Sequence, residues 1–261
     1  MKTNYHTHTQ RCLHAQGSEE DYIQAALKAG MSVLGFTDHA PFPDHDFGMR
    51  MPYSQLEPYF SAVDHLAVKH SSDILVLKSL EIEYLPQYEA YYQFLLDTYK
   101  LDYLLLGEHF YFNGKGDILN IYNASSTEDY IHYANSISAA LKTGLFQIIA
   151  HPDLFTLNHF AWDKNCDAAT EIILQAALDT NTVLEFNANG YRRGIHDYPD
   201  GKRLMYPHMN FWKKVPSSAK VMIGADAHEP YQVWDRCMDT SIVVLKELGI
   251  TPIETLAEAA K

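Results

Sequence analysis

Two histidines near the amino terminus have the spacing of metal ligands. His6 and His8 are separated only by Thr7 in the segment Thr3–His8, which has the character of a strand. Alternate residues of an extended strand point to the same side, so both imidazoles could bind one metal ion. Such a pair is also common on protein surfaces, and the interpretation therefore depends on further ligands elsewhere in the chain.

A second segment places two carboxylates on one face of an apolar strand. Glu81 and Glu83 follow the apolar residues 74–77, with one residue between them. Burying unpaired carboxylates is costly, so this strand requires a cation or hydrogen-bond partners at its end. Glu81 is the better candidate for a bridging metal ligand, and Glu83 is assigned to a supporting role or to the substrate.

The pattern of an apolar run followed by a ligand-type residue recurs along the chain. It is found at His39, His109, His151, Asp226 and His228, and His14 lies in a loop six residues after His8. Each fragment alone is weak evidence, but independent accidents would rarely align so consistently. Seven histidines and two carboxylates exceed the three or four protein ligands of a mononuclear site, so the sequence predicts more than one metal ion.

The elements that must position these residues alternate between strand and helix. Strands are expected over 3–8, 33–37, 74–81, 103–107, 146–150, 183–186 and 221–224, and helices over 18–29, 54–70, 87–99, 126–142, 167–179 and 231–248. Strands separated by helices or long loops predict an α/β fold with a parallel sheet. The candidate ligands fall at the carboxyl ends of the strands, which converge at one mouth of a TIM-like barrel. A single domain over 1–261 is therefore predicted, with loops 40–53 and 187–210 beside the site.

Composition excludes several classes of protein. The 261 residues carry 33 acidic and 20 basic side chains, a net charge of -13, which argues against binding of nucleic acids or anionic membranes. The three cysteines, Cys12, Cys166 and Cys237, form no CxxC pair. They indicate neither a disulfide framework nor a thiolate zinc site, and they favour a cytoplasmic location. No apolar stretch is long enough to span a membrane.

Taken in order, these motifs resemble those of the PHP (polymerase and histidinol phosphatase) family, in particular its monofunctional histidinol-phosphate phosphatases. The resemblance covers essentially the whole chain. The matching segments are His6-Thr7-His8, His14, Thr37-Asp38-His39, Glu81, His109, His151-Pro152-Asp153, Leu184-Glu185-Phe186-Asn187 with Gly190 and Arg192, and Asp226-Ala227-His228. Two residues depart from the family pattern, namely Asn4 in place of a frequent Asp and Ser79 in place of a frequent Gly. Neither removes a ligand, although both could alter the hydrogen bonds around the metal ions.

The resemblance implies a distorted (β/α)7 barrel with three divalent metal ions. One ion would be held by His6, His8, Glu81 and Asp226, a second by Glu81, His109 and His151, and a third by His14, His39 and His228. Glu81 would bridge the first two ions. Imidazole and carboxylate ligands suit zinc, manganese and iron alike, so the sequence leaves the identity of the metal open.

The activity implied by the resemblance is hydrolysis of L-histidinol phosphate to L-histidinol and phosphate, a step of histidine biosynthesis. A hydroxide bridging two metal ions would attack phosphorus, with the ligands Glu81, His109 and Asp226 as the catalytic centre. Three divalent ions against two carboxylates leave a local charge of about +4, which would let an acidic protein accept an anionic substrate.

The sequence also suggests which residues contact the substrate. Arg192 is the expected phosphate clamp, because a guanidinium offers forked donors to phosphate oxygens, and Arg193 is the alternative. His14 is a further candidate contact. Glu83 is expected to accept a hydrogen bond from the amine or imidazole of the substrate.

Three other functions remain open at this point. A broader phosphoesterase of the same family, including a nuclease, would use the same ligands, although the charge disfavours long nucleic acids. An amidohydrolase-type metal barrel also begins with an HxH motif. It is disfavoured by His14, by the two Asp/His pairs and by the lack of a lysine to bridge two metal ions. A metal-binding module without turnover is the non-enzymatic alternative. The sequence assigns neither the oligomeric state nor the general acid.

Overall fold

The computed structural model describes residues 1–259, which form short parallel strands alternating with helices. The strands are β1 (Thr3–Asn4), β2 (Val33–Phe36), β3 (Leu75–Lys78), β4 (Glu81–Ile82), β5 (Leu105–Leu106), β6 (Phe110–Phe112), β7 (Ile118–Asn120), β8 (Ile148–Ile149), β9 (Val183–Asn187), β10 (Ile195–Tyr198), β11 (Gly201–Leu204) and β12 (Val221–Gly224). The helices are α1 (Glu19–Lys28), α2 (Leu56–Lys69), α3 (Glu89–Tyr99), α4 (Asp129–Lys142), α5 (Lys164–Thr180), α6 (Asn189–Arg193), α7 (Met209–Trp212), α8 (Arg236–Glu247) and α9 (Leu256–Ala259).

Local sequence signals account for the helix ends. Ser18 caps α1 and forms a reciprocal capping box with Asp21, which satisfies backbone N–H groups that would otherwise lack partners. Gly30 follows this helix with a φ of +69°, a conformation that glycine adopts without a steric penalty. Asp163 and Asp235 cap α5 and α8 in the same way, with side chains that accept two backbone hydrogen bonds each. The six predicted helices are confirmed with ends shifted by up to five residues.

The strands form two parallel sheets that carry the site. One sheet has the order β1-β2-β3, and the other has the order β12-β9-β8-β5-β4. Two isolated parallel bridges connect their ends, one between Thr7 and Ala227 and one between His39 and Glu81. Only Ser79 and Leu80 separate β3 from β4, so the chain passes directly from one sheet to the other.

The sequence prediction of an α/β fold with parallel strands is confirmed, while a continuous closed sheet is not found among residues 1–259. Each of the seven predicted strands contains observed strand residues, but these are only two to five residues long. The ladder is interrupted near ligand-type residues. His151 and Asp226, with φ values of +30° and +46°, lie two residues after the ends of β8 and β12 in a backbone conformation that cannot continue a ladder.

Two antiparallel hairpins occupy regions where the sequence predicted no strands. β6 pairs with β7 immediately after His109. β10 pairs with β11 inside segment 187–210, which was predicted as a loop and also contains α6. Both hairpins are short and have partly exposed faces, so they lack the apolar runs by which the buried strands were recognised.

The hydrophobic core lies between the sheets and the surrounding helices. The largest fully buried side chains include Trp212, Tyr22, Tyr59 and Phe155. In α4 the residues Tyr130, Ala134, Ile137 and Leu141 form the buried face, as their helical spacing predicted. Within residues 1–259, none of the helices has the length and apolar character required to cross a bilayer.

Candidate metal centre

Glu81 lies at the middle of the cluster of ligand-type residues, at the start of β4. Its Oε2 atom is 3.3 Å from Nε2 of both His6 and His8, and 3.1 Å from Nδ1 of His39. Its Oε1 atom is 2.9 Å from Nε2 of His151 and 3.7 Å from Nε2 of His109. One carboxylate therefore faces five imidazoles contributed by different strand ends.

Asp226 faces the same histidines from the end of β12. Its Oδ1 atom is 3.3 Å from Nε2 of His8, 3.7 Å from Nε2 of His6 and 3.4 Å from Nδ1 of His228. The two Nε2 atoms of His6 and His8 are themselves only 3.0 Å apart. Two carboxylates thus lie on either side of the HxH pair that the sequence singled out.

The nine predicted ligands differ in burial, and we divide them accordingly. The inner group, which is buried, consists of His6, His8, Glu81, His151 and Asp226. The outer group, which is partly or fully exposed, consists of His14, His39, His109 and His228. The structure brings all nine together. In the outer group, Nε2 of His14 is 3.0 Å from Nε2 of His228, while His39 is turned toward Glu81.

The electrostatics of the cluster favour ionised carboxylates. Burial would raise the pKa of Glu81, but the imidazoles of His6, His39 and His109 lower it well below its usual range. The same opposition holds for Asp226, where burial is outweighed by His6, His8 and His228, and the pKa again falls. Both groups are therefore charged ligands at neutral pH.

Three of the four outer histidines, His14, His39 and His228, have lowered pKa values, which favour the neutral form that binds metal. At His109, burial would lower the pKa, but Glu81 and Glu83 raise it. Burial, followed by the effect of His8, lowers the pKa of His228 to about 3. Burial also lowers the pKa of His14, and it lowers that of His39 well below the usual value. A neutral imidazole offers the nitrogen lone pair that coordination requires.

A third carboxylate supports the inner group, and the sequence analysis gave it no role. Glu185 in β9 accepts a hydrogen bond from Nδ1 of His6 at 2.7 Å and another from the backbone N–H of His151 at 2.9 Å. Asn187 donates to Glu185 and to Oδ2 of Asp226, and Asn189 donates to the same Oδ2 atom. These contacts orient the ligands and leave Oδ1 of Asp226 facing the cluster. The sequence does contain a signal for this support, because Glu185 and Asn187 are two polar residues on one face of an apolar strand.

The unpaired atoms of the cluster fit divalent metal ions. Oε2 of Glu81 and Nδ1 of both His8 and His151 are buried without a hydrogen-bond partner among the described residues. Buried polar groups normally have partners, so an unpaired carboxylate oxygen facing three imidazoles is explained by a cation. Within the described residues, several triplets of ligand atoms lie within 4.8 Å of one another, including His6, His8 and Glu81, and His8, His39 and His228.

Two glycines permit the close approach of the central carboxylates. A Cβ atom at Gly107 would lie 2.2 Å from Oε1 of Glu81, and one at Gly224 would lie 1.7 Å from Oε1 of Glu185. Both positions therefore require glycine. The positive φ angles of His151 and Asp226 are uncommon for residues other than glycine, and such strain concentrates at functional sites.

The predicted phosphate clamp, Arg192, has its donors engaged within the protein. The guanidinium of Arg192 binds Asp235 through Nε and Nη2 at 2.8 and 3.0 Å, and it also donates to the carbonyls of Ala225 and Gln232. Arg192 thus supports the backbone beside Asp226, and its contact to phosphate stays a prediction. Arg193 is exposed and lies over the ring of Tyr206, whose hydroxyl, ahead of Tyr122 and Asp226, raises the pKa of Arg193.

Glu83, which is predicted to accept a hydrogen bond from the substrate, is also engaged within the protein. Both of its carboxylate oxygens are 3.0 Å from the guanidinium of Arg50, and Oε1 is 3.3 Å from Nδ1 of His109. Burial would raise the pKa of Glu83, but Arg50 and His109 lower it to about 2. With its oxygens engaged inside the protein, this carboxylate supports the predicted ligand His109.

A cavity of about 270 Å³ opens beside the outer group, and we call it the pocket. His14, His39 and His109 form its inner side. The segment 47–50, Phe110 of β6, Asn120 of β7 and Tyr122 form the remaining walls. Tyr122 stacks on His109 with ring centroids 6.2 Å apart. The sequence predicted neither Tyr122 nor the hairpin as parts of the site, because their positions depend on tertiary packing.

Comparison with known proteins supports the likeness suggested by the motifs. A protein of Deinococcus radiodurans named "Probable histidinol-phosphatase" is 27% identical over 255 residues, covering 94% of this chain and 92% of the relative. The "Histidinol-phosphatase" of Bacillus subtilis (strain 168) is 24% identical over 259 residues, covering 88% of this chain and 94% of the relative.

A solved structure and a family model agree with this fold. The crystal structure of histidinol phosphate phosphatase from Lactococcus lactis, complexed with zinc, L-histidinol and phosphate, superposes with a TM-score of 0.69. Its sequence identity is 16%, and the match covers 97% of this chain and 95% of that one. The family model described as "PHP domain" matches residues 4–189. Because this match spans more than half of its length, the chain belongs to the PHP domain family.

Proposed function

We propose that this protein is a metal-dependent phosphomonoesterase that hydrolyses L-histidinol phosphate to L-histidinol and phosphate. The observation that carries the proposal is Glu81, a buried ionised carboxylate with an unpaired oxygen, surrounded by five imidazoles at strand ends. Relatives named histidinol-phosphatase match nearly the whole chain, which supports the choice of substrate. A solved structure of the same fold binds zinc, histidinol and phosphate, which supports a role for metal.

Three divalent ions are proposed, with zinc, manganese and iron as candidates. His6, His8, Glu81 and Asp226 would hold the first, Glu81, His109 and His151 the second, and His14, His39 and His228 the third. Ions bound at such a site act as Lewis acids toward phosphate oxygens and activate water for attack on phosphorus. The distances from Glu81 to both histidine sets support its role as the bridging ligand.

The residues around the metal centre would orient the two halves of the substrate. Arg193, whose charged side chain is exposed beside Tyr206 and Tyr122, is the proposed phosphate contact. Asn120 accepts a hydrogen bond from the backbone of Tyr122 through Oδ1, so its amide Nδ2 is the atom left to donate to a ligand. His14, which lines the pocket, remains a proposed contact. The alcohol half of the substrate would lie in the pocket between these groups.

We further propose that the whole chain, 1–261, is one domain shaped as a distorted (β/α)7 barrel. The bridges Thr7–Ala227 and His39–Glu81 link the two sheets in a ring of seven strand positions, if β3 and β4 are counted as one. This arrangement supports the barrel and explains how ligands from separate strands converge. Three free cysteines support the proposed cytoplasmic location.

Phosphate release from L-histidinol phosphate and from p-nitrophenyl phosphate tests the proposed function. The enzyme would be loaded with manganese or zinc, and a chelator-treated sample would be the control. We expect a chelator-sensitive preference for histidinol phosphate. Equal or faster turnover of the aryl ester would indicate a broader phosphoesterase, and no turnover of either ester would contradict the proposal.

A further inference from the structure

Arg50 lines the pocket, and its guanidinium binds Glu83, which in turn contacts His109 of the proposed metal centre. Its Nη1 and Nη2 atoms each donate to one oxygen of Glu83 at 3.0 Å. This is the bidentate arrangement in which a guanidinium holds a carboxylate most strongly. Arg50 is 6% exposed and Glu83 is 1% exposed, so the pair is shielded from water.

The remaining donors of Arg50 hold the segment that forms one wall of the pocket. Nη1 also donates to the carbonyl of Ala40 at 2.8 Å, and Nε donates to the carbonyl of Gly48 at 3.1 Å. The guanidinium carbon is 5.2 Å from the ring centroid of Phe47. The guanidinium thus attaches the wall segment 47–50, to which Arg50 itself belongs, to Glu83 directly after β4.

The same carboxylate continues the contact to a metal ligand. Oε1 of Glu83 is 3.3 Å from Nδ1 of His109, while Nε2 of His109 faces Glu81. A carboxylate at Nδ1 fixes the orientation of an imidazole whose other nitrogen binds metal. Through Glu83, Arg50 therefore connects one wall of the pocket to His109, a predicted metal ligand that also lines the cavity.

We propose that Arg50 is a positioning residue that holds wall 47–50 against the metal centre and thereby sets the affinity for the alcohol half of the substrate. The substrate part of this inference rests on the proposed phosphatase function. Phosphate would bind at the proposed metal centre, and the hydrogen bonds of Arg50 go to Gly48, Ala40 and Glu83 instead of the predicted ligands. The alcohol half of the substrate would contact the wall. Loss of Arg50 therefore raises KM for a substrate that fills the pocket more than for one that does not.

Two variants test this role. Arg50→Lys keeps the charge but cannot reach Glu83, Ala40 and Gly48 with one group. A double variant, Arg50→Met with Glu83→Gln, removes the pair without leaving a buried unpaired charge, so it can fold where Arg50→Met alone would fail. Arg203→Lys is the matched control, because Arg203 also binds one carboxylate and several carbonyls but lies outside the pocket.

Metal-loaded enzymes would be compared by two measurements. The first is kcat and KM for L-histidinol phosphate and for p-nitrophenyl phosphate, and the second is hydrogen exchange of amides 46–50. In Arg50→Lys we expect KM for histidinol phosphate to rise about tenfold and KM for the aryl ester to change by less than about twofold. The double variant also alters the Glu83 contact to His109, so it is judged by the ratio of the two KM values, which should rise about fivefold or more. Exchange of these amides should become faster, while Arg203→Lys should match the wild type in both measurements.

Each alternative result would overturn the proposal. Unchanged exchange in the Arg50 variants would mean that Arg50 does not hold the wall. Faster exchange with equal KM changes for both esters would mean that the wall does not set affinity for the alcohol. If the wild type does not hydrolyse histidinol phosphate, the proposed function fails and the substrate part of this inference fails with it. The exchange measurement would still decide whether Arg50 positions the wall.

Discussion

The inner and outer groups of ligands share one centre but differ in burial and in the backbone that carries them. The inner group is buried and is oriented by Glu185, Asn187 and Asn189, which lie on or directly after β9. The outer group lies on loops at the edge of the pocket, and His14 is exposed. We therefore expect metal binding to order the partly exposed outer histidines more than the buried inner ligands.

Removing the carboxylate that both groups share should have the largest effect. Glu81→Gln removes the charge that faces the inner histidines and His39, so metal binding loses its central ligand. We expect turnover to fall about a thousandfold or more, because several kcal/mol of transition-state stabilisation depend on the metal. Steady-state kinetics and metal analysis would measure this. Glu89→Gln, at an exposed position of α3, is the control and should behave as wild type.

Substitutions in the inner and outer groups should lower turnover to different extents. His151→Asn in the inner group removes a nitrogen 2.9 Å from Glu81, and we expect turnover to fall about a hundredfold. His14→Asn in the outer group should lower turnover by only about tenfold, because it leaves the inner ligands unchanged. Equal losses in the two variants, each measured at saturating metal, would remove the distinction between the groups.

The support of the inner group can be tested without changing a ligand. Glu185→Gln weakens the contact to His6 while nearly preserving its shape, and we expect metal affinity to fall about tenfold. Competition with a chelator would measure this affinity. Glu108→Gln is the matched control, since Glu108 is also buried but binds Ser136 and the backbone of Tyr84. A loss of the same size in the control would show a general effect of buried carboxylates.

The smallest effect is expected outside both groups, at His208. Burial, ahead of the effect of Arg203, lowers the pKa of His208 to about 4. The unfolded chain therefore binds more protons than the folded one between pH 6.5 and 4, and stability falls as the pH decreases through this window. Because of this group, the free energy of unfolding of the wild type should be roughly 1 kcal/mol lower at pH 5.5 than at pH 7.

His208→Asn isolates that contribution. Asparagine can keep the cap of α7, where the His208 side chain accepts a hydrogen bond from the backbone N–H of Asn210. Urea denaturation of metal-loaded protein at several pH values would compare the two proteins. The variant should show a shallower loss of stability below pH 6.5, and parallel curves for the two proteins would contradict the expectation.

Much of the fold and most of the centre could be predicted because their signals are local. Apolar runs ending in His109, His151 or Asp226 indicated where strands stop, and the capping box at Ser18 indicated where α1 begins. The nine proposed ligands lie close together, as expected for side chains near converging strand ends. The (β/α)7 barrel was less accessible, since continuity of the sheet depends on pairing between residues far apart in sequence.

The partners of charged side chains outside the ligand set could not be predicted, because a sequence does not reveal which groups a long side chain will meet. Arg192 was expected to face phosphate and instead binds Asp235, which lies 43 residues away. Glu83 was expected to face the substrate and instead pairs with Arg50. In both cases a partner that is distant in sequence satisfies the charge inside the protein.

The sequence by itself determined the alternation of strands and helices and the chemistry of the strand ends. Both follow from the order of apolar and polar residues along short segments. Only the tertiary structure decided which carboxylate orients His6, which arginine remains exposed beside the centre and which segments wall the pocket. These outcomes depend on long-range contacts and burial, which set the charge and orientation of a side chain only after the chain has folded.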